Sequence, residues 1–155
     1  MINSNSNPGE IINNLVLELH IPDFNSERNF LAIFGFKEIM YDPTSGGGGS
    51  DLGYMVLKRE DIIGNTSINF YGDKEKVSQH KYFIDFPPET RRGYEVEITI
   101  PVSDVKKLLE EVKDKLEEKQ IAQPLTLKRW NKWDFRVVDP FGFYIRFTEL
   151  VDWGQ

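Results

Sequence analysis

Cysteine is absent from the 155 residues, and histidine occurs only as His20 and His80. Without a thiol there is no thiolate nucleophile, iron–sulfur cluster, Cys-ligated zinc or disulfide framework. Long apolar runs are missing as well, none approaching the ~20 residues of a membrane-spanning helix. The opening MINSNSNPGE lacks the basic and apolar stretches of a secretory signal, so the chain reads as cytoplasmic, with no membrane partner. Positive charge is in deficit: 19 Lys and Arg face 25 Asp and Glu, a net −6. Duplex DNA is held mainly by neutralising its phosphates, so no nucleic-acid partner is expected. An acidic chain instead tolerates or attracts cationic small molecules. No P-loop and no dinucleotide-binding glycine pattern occurs, and the hydroxyl residues near either histidine lack triad spacing.

What is present suffices for one domain. The chain is 39% hydrophobic and 28% charged, and one of this size buries about 70% of its unfolded surface without covalent staples. Residues 1–12 are Asn- and Ser-rich and read as a flexible amino terminus. Alternating apolar residues over 15–21 predict a half-buried strand that stops at Pro22-Asp23. Asn25 and Ser26 can cap a short helix over 27–34 with Phe30, Leu31 and Phe34 on one stripe, and Gly35 supplies a left-handed stop. Strands are predicted over 36–41, 54–59 and 66–71. The intervening PTSGGGGSDLG reads equally as a natural loop tip or an inserted flexible linker. A polar connector spans 73–93, and the order then returns. There is a strand over 94–102 and an amphipathic helix capped by Asp104, with Val105, Leu108, Leu109, Val112 and Leu116 on one face. Strands over 124–128, 132–138 and 143–150 complete it, the last two joined by Asp139-Pro140-Phe141-Gly142, a type I turn composition.

Both halves, 13–72 and 94–151, therefore read as β-α-β-β-β within one compact domain. Letters repeat too: Glu18-Leu19-His20-Ile21-Pro22 is echoed by Glu97-Ile98-Thr99-Ile100-Pro101. The closing segment from Asp134 to Phe147, with Asp139-Pro140-Phe141-Gly142 at its turn, resembles the final hairpin of the vicinal oxygen chelate superfamily, the glyoxalase, bleomycin-resistance and extradiol-dioxygenase group. Asp23, Phe30 and Phe34-Gly35-Phe36 match the signature of its first module. The resemblance covers about residues 14–151. It implies an α+β fold in which two βαβββ modules form a curved mixed sheet around a concave cup, with the helices outside. Trp130-Asn131-Lys132-Trp133-Asp134-Phe135 is similar to the tryptophan loop of the bleomycin-resistance branch, with Asn131 where that branch has Gly. That likeness implies a homodimer without metal or other cofactor, sequestering a cationic glycopeptide antibiotic in an aromatic crevice.

Strand alternation under that fold assigns faces. Leu15, Leu17, Leu19 and Ile21 are expected to pack inward with Tyr94, Val96, Ile98 and Ile100. The cup then receives Val16, Glu18 and His20, Ser67, Asn69 and Tyr71, Glu95, Glu97 and Thr99, and Tyr144, Arg146 and Thr148. Enzymes of the superfamily carry His or Gln on each first strand and Glu on each fourth. Aligned on Asp23 and Asp104, these places hold Val16 and Glu97, then Asn69 and Arg146, and a slip of two residues would substitute Glu18 for Val16. Arginine donates only, so it cannot replace a carboxylate on a metal.

The ligand-binding candidates are Glu18, His20, Asn69, Tyr71, Glu97, Trp130, Trp133, Tyr144 and Arg146, with no catalytic residue assigned. The carboxylates Glu18, Glu95 and Glu97 would favour a cation, and Glu97 with Arg146 would form a charge pair. Each tryptophan either stacks a flat ligand or fills a sheet edge or dimer interface. Tyr82-Phe83-Ile84-Asp85-Phe86 in the connector is apolar enough to be a covered surface, in a dimer or on the chain's own sheet. The leading expectation is a metal-independent binding protein for a small cationic or aromatic molecule. Alternatives are a metal-dependent lyase, isomerase, transferase or dioxygenase, with an improvised His20, Glu18 and Glu97 site as one form, an acid–base enzyme using Glu97, and a dimeric module with a vestigial cup.

Overall fold

The computed structural model describes residues 15–44, 52–74 and 92–151. His80, the Tyr82–Phe86 stretch and the glycine run at 46–49 lie outside them. The first module comprises β1 (Glu18–Ile21), α1 (Phe24–Ile33), β2 (Lys37–Asp42), β3 (Gly53–Arg59) and β4 (Thr66–Gly72). The second comprises β5 (Glu97–Pro101), α2 (Val105–Val112), β6 (Ile121–Leu127), β7 (Trp133–Val138) and β8 (Tyr144–Thr148). The sheet orders match, β1-β4-β3-β2 and β5-β8-β7-β6. In each module the first strand pairs parallel with the last, which requires the crossover that the helix supplies.

The expected α+β repeat is present, with local corrections. Asp23, not Asn25 or Ser26, caps α1: its carboxylate accepts from the Asn25 and Ser26 N–H groups, so the helix starts at Phe24. Asp104 caps α2 by accepting from the Lys107 N–H, but the α-helix ends at Val112 and passes into 3₁₀ turns. Gly35 stops the first helix at φ 88°.

Strand phase fails where strands have not yet begun. Tyr94 and Val96 are exposed because the chain is still turning: Val96 N–H donates to Gly93 C=O, and Glu95 sits at φ 57°. Glu95 is thus off the strand face to which alternation assigns it. Leu15 and Val16, also exposed, precede the first ladder pair, Glu18 opposite Asn69.

One apolar core serves both modules, drawing Phe24, Leu31 and Phe34 from the first and Phe135, Ile145 and Phe147 from the second. Phe34 stacks on Phe147 with ring centroids 4.6 Å apart. Each such fully buried side chain contributes about 1.5–3 kcal/mol relative to exposure. Polar ties reinforce the seam. Asp61 accepts from the Ser103 backbone N–H at 3.1 Å and from Arg59 at 2.8 Å. Burial opposes its charge, yet these donors hold its pKa well below the ordinary carboxylate range.

Glu27 of α1, fully buried, meets the equally secluded Asp139 of the β7–β8 turn. Burial first, then the neighbouring Asp139 charge, pushes the Glu27 pKa up to about 10, so Glu27 keeps its proton beside the Asp139 carboxyl. Asp139 Oδ1 in turn accepts from the Phe141 and Phe143 N–H groups, closing the turn. Among the described residues, no helix is long and apolar enough to cross a membrane.

Candidate functional site

With apolar side chains committed to the shared core, the alternate residues of each sheet form a polar face on its other side. In the first module, Leu19, Met55, Leu57, Ile68 and Phe70 are core, leaving Glu18, His20, Tyr54, Asn69 and Tyr71 opposite. Glu18 is the hub. Its Oε2 accepts from the Tyr54 hydroxyl at 2.6 Å, and its Oε1 lies 2.9 Å from His20 Nε2. Asn69 Nδ2 donates to the Tyr54 oxygen at 2.9 Å, and the Tyr71 ring lies against His20 with centroids 4.8 Å apart. Burial and the Glu18 hydrogen bond both raise the Tyr54 pKa, so the phenol stays a neutral donor. The result is a fixed carboxylate with aromatic walls, an arrangement able to accept from an ammonium or amide N–H.

The second face is ionic. Phe135 and Val137 point into the core, so Asp134 and Arg136 share the other side with Tyr144 and Arg146. Asp134 is fully buried beneath three cations: Arg146 Nε at 2.8 Å, Lys128 Nζ at 3.6 Å and Arg136 Nε at 3.9 Å. Glu97, half-exposed, receives Arg136 Nη1 at 3.0 Å and Arg146 Nη1 at 3.5 Å. Burial works against the charge of Arg136, but Tyr144 and Glu97 together raise its pKa.

A turn closed by Lys128 N–H to Lys132 C=O, with Asn131 at φ 59°, carries the Trp130 ring to 5.2 Å from the Arg146 guanidinium. Trp133 goes elsewhere. It shares the phase of Phe135, packs on the core side and sits under Lys106 of α2, whose Nζ lies 4.4 Å from its ring.

Of the sequence-derived candidates, Glu18, His20, Asn69 and Tyr71 therefore gather on one face, Glu97, Trp130, Tyr144 and Arg146 on the other, and Trp133 on neither. Glu97 and Arg146 do touch, though Arg136 stands closer to that carboxylate. Reading the residues singly missed Tyr54, Lys128, Asp134 and Arg136. Alternation carried through the third strand of each module, against Met55 and Leu57 or Phe135 and Val137, was the signal for three of them. Lys128, at the end of β6 beside a bulged ladder, had none.

Comparison with solved structures supplies relatives of this architecture. TioX from Micromonospora sp. ML1 superposes with a TM-score of 0.58 at 20% identity, covering 92% of this chain and all of TioX. A bleomycin-binding protein, solved with bleomycin, gives 0.58 at 16% identity over 90% of this chain and 100% of its own. Glyoxalase I from Zea mays gives 0.60 at 16% identity over 89% of this chain, which spans 44% of the plant protein. The chain has the vicinal oxygen chelate fold. Matched against known families and curated proteins by sequence, it has no counterpart.

Enzymes with the vicinal oxygen chelate fold carry a divalent metal on this face, and the residues here do not fit one. Strand pairing puts Glu18, not Val16, opposite Asn69, and puts Glu97 opposite Tyr144, with Arg146 two pairs further on. Both oxygens of Glu18 are engaged by Tyr54 and His20, and both of Glu97 by arginines. A cation would have to displace guanidinium groups of its own sign. Among the described residues, no three His, Asp or Glu side chains converge as a ligand set, which leaves out the improvised His20, Glu18 and Glu97 site.

Proposed function

We propose that this chain is a metal-independent binding protein that holds a small aromatic molecule on its polar sheet faces, in the manner of antibiotic sequestration. Protection would then be stoichiometric, with no bond made or broken. The observation that carries the reading is the pair of arginines on Glu97, one of them Arg146 on the fourth strand, where the fold's enzymes carry a carboxylate. A protein of this fold solved with bleomycin bound supports the binding of a small-molecule ligand, and Glu18 suits a cationic group on it. The exposed Leu15, Val16, Tyr94 and Val96 flank the starts of β1 and β5, an apolar rim that a second copy of the chain would cover in a homodimer.

Thermal unfolding of chelator-treated protein with Ni, Zn, Mn and Fe(II), and separately with metal-free bleomycin, tests this. A ligand at a hundredfold excess over its dissociation constant stabilises by about 2.7 kcal/mol. The expected result is no saturable shift with any metal. A saturable shift with one of them overturns metal independence, and light scattering at a monomer mass overturns the dimer.

A further inference from the structure

Charge on the second face runs against the rest of the molecule. A chain of net −6 places Lys128, Arg136 and Arg146 together against, among the described residues, only Asp134 and Glu97, and keeps all three cations mostly out of solvent, at 17%, 19% and 12% side-chain exposure. Among the described residues, one positive charge is therefore unmatched in a half-dry site. Nor are the existing pairs saturated. Arg146 Nε lies 2.8 Å from Asp134 but off the line of a hydrogen bond, and neither guanidinium grips a carboxylate with both prongs of its fork. Among the described residues, the one side-chain hydrogen bond that either guanidinium makes is from Arg136 Nη1 to the Tyr144 hydroxyl, at 3.3 Å. Asp134, buried below, fixes the two guanidinium groups from beneath without consuming their outward donors. Trp130, 40% exposed, lies over Arg146 and offers a ring beside that donor pair.

We infer that this face binds the carboxylate of an aromatic small molecule, its two oxygens bridging Arg136 and Arg146 and its ring resting against Trp130. A planar two-oxygen acceptor matches guanidinium forks better than a point anion does, and the excess charge supplies the attraction. This deepens the proposed binding function and rests on it.

Calorimetric titration with 2-naphthoate, 2-naphthamide and 2-naphthylmethylamine, up to millimolar concentration, separates the charges on one ring system. Naphthoate should saturate at least tenfold more tightly than the amide, with the amine weaker still on this face. Trp130→Ala should weaken naphthoate several-fold, and Arg136→Gln about tenfold or more. Because Arg146→Gln alone strands Asp134, the paired Asp134→Asn/Arg146→Gln variant is the sound test of Arg146, and it should also lose tenfold or more. Equal binding of acid and amide, naphthoate binding unchanged in these variants, or binding of the amine alone overturns the carboxylate assignment while leaving small-molecule binding intact. If none of the three probes binds but bleomycin does, the carboxylate assignment again falls alone. If bleomycin fails as well, the binding function falls with it.

Discussion

Glu18 and Glu97 hold matching places, each the first residue of the first strand in its module, within an echoed five-residue stretch. Their surroundings differ in kind. Glu18 is met by a phenol, an imidazole and, through the phenol, an amide, whereas Glu97 is met by two guanidinium groups. The cause lies on the partner strands: across from the first pair stand Asn69 and Tyr71, across from the second Tyr144 and Arg146. A repeated fold thus fixes where side chains project but not what they do together. One face became a hydrogen-bonded acceptor and the other an ionic lattice.

The contrast can be broken most sharply at its ionic end. Arg146→Ala removes the cation nearest a fully buried carboxylate and should destabilise the chain by about 3 kcal/mol in urea unfolding. Adding Asp134→Ala should restore part of that loss, the coupling expected of contacting charges. An equal loss in the double variant would mean that Arg146 acts through packing alone. The two hubs can then be compared directly by the same substitution. Glu97→Gln, which strands two guanidinium groups, should cost more than Glu18→Gln, which leaves the neutral Tyr54 hydroxyl an amide oxygen to donate to, each within about 3 kcal/mol. Equal costs would erase the distinction drawn here.

The only gain belongs to the seam. Folded Glu27 keeps its proton up to about pH 10, whereas its ordinary value is 4.5. The folded state therefore binds more protons than the unfolded one, and stability falls as pH rises through that window. Asp139, also raised chiefly by burial, and Arg92, which its charge favours, are the ionisable groups beside it. Glu27→Gln should leave stability at pH 4 unchanged and raise it at pH 8 by at least about 1.4 kcal/mol, the equivalent of one pKa unit. No gain at pH 8 would mean that Glu27 finds its proton no harder to lose than a surface glutamate does.

Much of the fold was legible in the sequence because it rests on periodicity and punctuation. The α2 stripe, the Asp104 cap and the Gly35 stop need only local rules. The α1 cap was misplaced because Asp23, Asn25 and Ser26 are all competent caps. What decides is that Asp23 reaches the N–H groups of the other two. Tyr94 and Val96 kept an alternating pattern through a turn, where alternation carries no facial meaning.

Half of each polar face was legible from the first and last strands. The rest depended on register across the sheet: Asp134 sits by Arg146 only because β7 pairs with β8 as it does, and no stretch of sequence states that pairing. Trp133 failed for a related reason. Two tryptophans three residues apart suggest a common task, but the turn at Asn131 sends them to opposite sides.

The buried Glu27 and Asp139 pair also makes hydrogen ion a stoichiometric reactant in folding. At pH 8 the unfolded chain arrives without that proton and the native chain must acquire it from the buffer, so the heat of refolding carries the buffer's own ionisation enthalpy. Phosphate and Tris would report different apparent enthalpies for the same chain, and the gap between them counts the protons taken up.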